Sequence, residues 1–284
     1  MKPAVFARLV RIEHALMLCL AVMVGEVIVF GGMPPWQFVL LTFFPPFFIE
    51  MSAFAINDFF DVEVDRANNR KDRPLVTGEA TMEEVLAAAV ICGVIGVVAA
   101  WFINFVCFGI ALLFCGLAFL YSYKLKDLPL IGNVYIAFTM AIPFLFGSFA
   151  ITPYAISQRI LLMIAIAFLT GLGREVLGTV RDIEGDKLRG SRTLPMVIGK
   201  QFSLYFSSLM FVVAVLFSII PFILLTGYKN DFNYLLTVGI CDSLLIYIAA
   251  RAPGAPQVFL EEARRLSLTA MGFGLLAFLL GAYY

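Results

Sequence analysis

VLAAAVICGVIGVVAAWFINFVCFGIALLFCGLAFLYSY, residues Val85 to Tyr123, runs for 39 positions without one charged side chain. As a single helix it would measure roughly 58 Å, about twice the hydrocarbon thickness of a bilayer. It must therefore fold back, and Trp101 to Asn104 is the expected place, which makes two spans of one run. On either side lie further apolar windows of spanning length: Ile12–Phe30, Trp36–Phe60, Ile160–Gly178, Phe202–Leu225, Phe232–Ala250 and Leu266–Tyr284. Leu128–Gln158 adds one more, closed by the Thr152-Pro153 break, so nine spans are expected. The composition agrees: of 284 residues, 62% are hydrophobic and 14% charged, with a mean hydropathy of +0.96. A soluble domain is about half apolar and one quarter charged. The expectation is an all-α, polytopic membrane protein in the bilayer, a single domain over 1–284. A disordered chain, a soluble enzyme and a nucleic-acid binder are excluded, and a net charge of zero leaves no basic patch for a nucleic acid partner. Cys19, Cys92, Cys107, Cys115 and Cys241 all sit in apolar stretches and read as small buried hydrophobes.

The charges between the spans set the orientation. The N-terminal segment and the second, fourth, sixth and eighth loops together hold 17 of the 20 basic residues. The other side holds Arg159 and Lys229, and Arg174 lies inside the sixth span. Lys and Arg are retained on the cytoplasmic side. A multi-pass cell-membrane protein with its N-terminus inside and its C-terminus outside is expected. The first span is followed by Gly31-Gly32-Met33-Pro34, with no small-residue cleavage site, and reads as a retained helix.

The acids are concentrated. The second span ends in Asn57-Asp58-Phe59-Phe60-Asp61-Val62-Glu63-Val64-Asp65. Asp58, Asp61 and Asp65 share one helical face, and Asn57 precedes Asp61 by one turn. Three like charges at a membrane edge repel one another unless something binds them. Clustered hard oxygen ligands suit Mg²⁺, which takes carboxylates together with substrate phosphates. The sixth span ends in Arg181-Asp182-Ile183-Glu184-Gly185-Asp186-Lys187, and Asp182 to Lys187 repeats the order of Asp61 to Arg66: acid, apolar, Glu, any, Asp, basic. This is an internal repeat of about four helices in parallel orientation.

Each acidic motif runs into a basic loop, over 57–80 and 174–200: Asn68-Asn69-Arg70-Lys71-Asp72-Arg73-Pro74 and Arg189-Gly190-Ser191-Arg192-Thr193-Leu194-Pro195. Tyr121-Ser122-Tyr123-Lys124-Leu125-Lys126 ends the fourth span on the same side. Carboxylates bridged by Mg²⁺ and ringed by Arg73, Lys124, Lys126 and Arg189 make a diphosphate site. The candidate metal ligands are Asp58, Asp61, Asp65, Asp182 and Asp186. The candidate substrate-binding residues are Asn57, Asp65, Tyr121, Arg73, Lys124, Lys126 and Arg189.

These motifs, Asn57-Asp58-x-x-Asp61-x-x-x-Asp65, Arg73-Pro74, Asp182-x-x-Gly185-Asp186 and Thr193-Leu194-Pro195, resemble those of the UbiA superfamily of intramembrane prenyltransferases. The resemblance covers nearly the whole chain. It implies nine helices around a central cavity, two Mg²⁺ ions and a prenyl diphosphate donor. Many members carry another Asp three residues before Asp182, where this chain has Thr179. Arg174-Glu175 also resembles the pair at that helix end in relatives. Arg11-Ile12-Glu13-His14, Tyr121–Lys126 and Leu130-Ile131-Gly132-Asn133 look most like the archaeal ether-lipid branch, the geranylgeranylglyceryl phosphate geranylgeranyltransferases.

The catalytic problem is to ionise an allylic diphosphate and keep the cation from water. Asp58, Asp61, Asp182 and Asp186, through Mg²⁺, answer the first part. Cytoplasmic cap loops after Asp65 and Asp186, and a channel drawn from 29 Phe residues, answer the second. The branch resemblance implies a lipophilic acceptor, a prenylated glyceryl phosphate, and one physical point accompanies it: Arg8, Arg11, Lys124, Lys126 and Arg189 are more cations than one diphosphate needs. His14 and Glu13 are candidate bases. The alternatives are an aromatic acceptor of quinone type and, in another class, a membrane transporter, whose site would lie nearer the midplane.

Overall fold

In hydrocarbon a spanning segment must satisfy its own backbone polar groups, which a helix does internally. In the computed structural model, which describes residues 1–67 and 69–282 without the side chains of Leu188 and Arg189, the apolar windows are helices accordingly. Among the described residues nine helices are long and apolar enough to cross a bilayer. In chain order the elements are α1 (Pro3–Val10), α2 (Ile12–Phe30), α3 (Trp36–Ala67), α4 (Pro74–Thr77), α5 (Met82–Trp101), α6 (Phe105–Tyr123) and α7 (Ile131–Ile151). They continue with α8 (Gln158–Arg181), α9 (Ile183–Arg189), α10 (Leu194–Ile198), α11 (Lys200–Ser218), α12 (Ile220–Leu224), α13 (Phe232–Arg251) and α14 (Gln257–Gly281). The long charge-free run does fold back where expected: α5 stops at Trp101, and Asn104 caps α6 by accepting from the Cys107 N–H at 2.9 Å.

Several boundaries differ from the hydropathy reading. The second span does not stop at Phe60 but carries the acidic motif to Ala67 as α3. The last helix starts at Gln257, well before Leu266, and takes in Glu261, Glu262, Arg264 and Arg265. Hydropathy finds the hydrocarbon, whereas a helix is free to run on into the headgroup region with charged residues. Pro256 at its N-cap sets the start instead. The basic N-terminus is itself a short helix, α1, which Pro3 opens and Arg11 closes in the left-handed region at φ 47°.

By their internal contacts the residues group into two compact units, Met1–Met23 with Pro35–Lys126, and Val24–Pro34 with Asp127–Tyr284. In the first, α3 packs on α5 and α6, over a core that includes Leu9, Met51, Ala55, Val85 and Ala89. Gly96 permits the close approach: a Cβ there would stand 2.7 Å from Ile49 Cγ1 and 3.0 Å from the Pro45 carbonyl oxygen. Nearby, Ser52 Oγ donates to the Ala89 carbonyl at 2.6 Å. In the second unit, α8 packs on α7, α11 and α14, and α13 on α14. Its core includes Leu177, Leu204, Phe211, Leu245 and Leu260. Ser207 Oγ donates to the Gly173 carbonyl at 2.6 Å, the small-residue contact that lets membrane helices close up. Each unit carries one acidic motif, on the end of α3 and at the α8–α9 junction.

Candidate active site

The end of α3 is a continuous helix, so Asp58, Asp61 and Asp65 do fall on one face, and all three are buried at 2%, 7% and 8% exposure. Like charges so placed are stable only with cations beside them, and three separate segments deliver them. Arg11 Nη2, at the α1–α2 corner, lies 2.7 Å from Asp58 Oδ1. Arg73, the N-cap of α4, lies 3.6 Å from Asp58 Oδ1 and 3.7 Å from Asp65 Oδ2. Lys126, in the 3-10 turn Leu125–Asp127, lies 2.5 Å from Asp61 Oδ1, while Asn57 Nδ2 donates to Asp61 Oδ2 at 3.1 Å. Burial pulls the Arg11 guanidinium below its ordinary value against the opposing field of Asp58. Its ordinary value is high enough that it stays charged at neutral pH.

Arg11 also stacks at 4.2 Å over the Phe54 ring, against which His14 packs edge-on at 5.3 Å. His14 Nδ1 is 3.5 Å from Glu13 Oε1. Counting Arg11 among spare basic residues of the N-terminus missed its place on Asp58. The left-handed corner at residue 11, which aims it there, leaves no mark in composition. Lys124 is exposed at the end of α6 and Tyr121 is half-buried one turn earlier.

The second motif is built differently. The helix breaks at Asp182: α8 ends at Arg181 and α9 starts at Ile183, and Gly185, which stands where the first motif has Val64, falls inside α9. Asp182 is exposed and grips Arg181 in a two-pronged pair at 2.7 and 2.5 Å. Asp186 is half-buried one turn on, its N–H donating to the Asp182 carbonyl at 3.0 Å. Thr179 donates to the Val176 carbonyl at 2.9 Å and accepts from Asn133 Nδ2 at 3.4 Å. Its hydroxyl serves the helix rather than adding a carboxylate. The following loop is pinned by Asp127, which accepts from Ser191 Oγ at 2.6 Å, and whose carbonyl takes the Arg192 N–H at 3.1 Å. The side chain of Arg189 lies outside the described residues.

Among the described residues no three His, Cys, Asp or Glu side chains close on one metal-sized point. The donor set nonetheless fits Mg²⁺. Asp58 Oδ2 is buried with no hydrogen-bond partner, a lone pair that a hard cation takes, and Mg²⁺ completes its shell with water and phosphate oxygens.

Comparison with known proteins bears on this geometry. Residues 18–268 match the UbiA prenyltransferase family. The digeranylgeranylglyceryl phosphate synthase of Archaeoglobus fulgidus is 41% identical over 97% of this chain and 94% of its own length. That of Methanocaldococcus jannaschii is 35% identical over 86% of this chain and 83% of its own. The chain belongs to the UbiA prenyltransferase family. The fold agrees: a solved structure concerned with digeranylgeranylglyceryl phosphate synthase in membranes superposes with a TM-score of 0.79 at 31% identity, over 99% of this chain and 98% of that one. A UbiA homolog from Archaeoglobus fulgidus bound to DMAPP and Mg²⁺ shares the fold at a TM-score of 0.67 and 20% identity, over 96% and 98% of the two chains. The reading as a polytopic prenyltransferase, rather than a transporter, therefore holds.

Proposed function

We propose that this prenyltransferase joins a geranylgeranyl group from geranylgeranyl diphosphate to the free hydroxyl of geranylgeranylglyceryl phosphate, in archaeal ether-lipid synthesis. The observation that carries this reading is the likeness, over nearly the full length of both chains, to relatives that bear the name of that product's synthase. The hydroxyl oxygen bonds to C1 of the donor, the C1–O bond to the diphosphate breaks, and the diphosphate leaves with the electron pair. The hydroxyl proton passes to a base, for which His14 and Glu13 remain candidates.

Two Mg²⁺ ions, when bound, would supply the charge that stabilises the leaving diphosphate. Asp58, Asp61 and Asp65 in one motif and Asp182 and Asp186 in the other are the proposed ligands. Arg73 and Lys126 already stand on these carboxylates, so both can donate charge-assisted hydrogen bonds to a diphosphate that replaces them. Arg11 belongs with them. Asn57, Tyr121, Lys124 and Arg189 complete the donor-binding set. The N-terminus, both motifs and the loops after them face the cytoplasm, and the C-terminus faces outward, as the basic residues require.

The test is purified protein in detergent with Mg²⁺, labelled geranylgeranyl diphosphate and two acceptors, geranylgeranylglyceryl phosphate and an aromatic acid. The expected product is a base-stable ether. Prenylation of the aromatic acid alone would overturn the acceptor and leave the prenyltransferase.

A further inference from the structure

The cations that looked spare for an acceptor phosphate are largely engaged. Arg8 pairs with Glu79, Arg11 with Asp58 and Lys126 with Asp61. A different group of cations lies in the second unit. Arg174 sits inside the apolar span of α8, where a charge is costly and persists for a reason. Its Nη1 is 2.9 Å from Glu175 Oε1, but its Nε is buried with no hydrogen-bond acceptor. Two turns on, along the same helical face, stands Arg181. Between them is Gly178, where an added Cβ would meet nothing within 4 Å. Gly178 therefore places no side chain on this face between the two arginines. α14 packs on α8, and its Gln257 Nε2 donates to the Arg181 carbonyl at 2.8 Å. Arg264, two turns on along the same face of α14 as Gln257, also feels the charges of Arg181, Arg174, Asp182 and Glu175. Arg174 and Arg181 each hold a neighbouring carboxylate, whereas among the described residues Arg264 holds none.

We infer that Arg174, Arg181 and Arg264 form the seat of the acceptor's phosphate, an inference that rests on the acceptor reading above. Guanidinium forks match phosphate oxygens two at a time. A phosphomonoester presents three oxygens, enough for the buried Nε of Arg174, the free fork of Arg264 and an N–H of Arg181. Gly178 leaves the face between Arg174 and Arg181 without a side chain, and the position at the end of a span suits a ligand whose tail stays in lipid. Asp182, a proposed metal ligand, adjoins Arg181 in sequence, so the seat borders the reacting end.

The deciding experiment compares wild type with Arg264→Gln, Arg264→Lys and Arg174→Gln in detergent, each with geranylgeranylglyceryl phosphate and with its dephosphorylated counterpart. Arg264→Gln is expected to raise KM for the phosphorylated acceptor about tenfold. The donor's KM should hold within about twofold, since Arg264 is not among the residues proposed to bind the donor. The preference for the phosphorylated acceptor should fall by the same factor, with Arg264→Lys in between. Arg174→Gln should repeat the effect. Should it fail to insert, Arg264, on the exposed side of α14, decides alone. An unchanged acceptor KM and preference in Arg264→Gln overturns the phosphate seat. A wild type that prenylates neither acceptor overturns the acceptor reading itself, and the seat with it.

Discussion

Asp58 concentrates the logic of the first motif in one side chain. It is buried, holds Arg11 and Arg73 with one oxygen, and keeps the other without a partner. Replacement by Asn preserves shape and removes the charge that a cation needs. Asp58→Asn, Asp61→Asn or Asp182→Asn is each expected to lower kcat by two orders of magnitude or more, roughly 3 kcal/mol of transition-state stabilisation. Steady-state prenyl transfer under saturating Mg²⁺ measures it, and three variants of near-normal rate would remove these carboxylates from the chemistry. Lys126→Met tests the partner side. It strips Asp61 of its cation in a nearly closed setting, a change that costs roughly 3–5 kcal/mol when a buried pair loses one member. A clear drop in melting temperature is expected, relieved in Asp61→Asn/Lys126→Met.

Helix contacts here depend on where side chains are missing. Gly25 of α2 lies so close to α7 that an added Cβ would press on the Phe144 carbonyl oxygen and lie 3.0 Å from its Cα. Backbone cannot swing aside as a side chain would, so Gly25→Ala should destabilise the protein by about 1–3 kcal/mol. Gly239→Ala, at a site open around its Cβ, is the control for thermal unfolding in detergent. The loop between α3 and α5 answers to pH. Hydrogen bonds from Arg70 hold the Asp72 carboxyl well below its ordinary value of 3.8. Those from Thr77 and Arg8 lower Glu79 from 4.5. A carboxyl lowered in the folded state contributes its stability above the unfolded pKa and loses it as the pH falls through the folded one. Amides over residues 69–80 should therefore be equally protected at pH 6 and 8 and lose protection below about pH 4. Hydrogen exchange corrected for intrinsic rates reads this, and protection unchanged down to pH 3 would rule the pairs out as restraints.

For the molecule in its bilayer, the open matter is orientation. Single cysteines placed at Asn69, Arg192 and Lys229, all exposed, in a background without the native five, should react with an impermeant maleimide from opposite sides. Asn69 and Arg192 should label from the cytoplasmic face, and Lys229 only from the outer face. Labelling of Asn69 and Arg192 from different faces would refute the parallel arrangement of the two motifs.

Membership of an all-α membrane class was legible from Val85–Tyr123 alone, because hydrocarbon permits few ways to hide a backbone and the length of the run forces a fold-back. The first acidic face was legible too, since helical periodicity aligns Asp58, Asp61 and Asp65 whatever surrounds them. The partners of those acids were not. Arg11 reaches Asp58 through a left-handed corner, and Lys126 rather than Lys124 meets Asp61 through a single 3-10 turn. The break at Asp182, the diversion of Thr179 to Asn133 and the start of α14 at Gln257 were equally out of reach. Sequence records what each residue can do along its own helix. Which charge neutralises which depends on contacts between segments far apart in the chain, and only packing selects those.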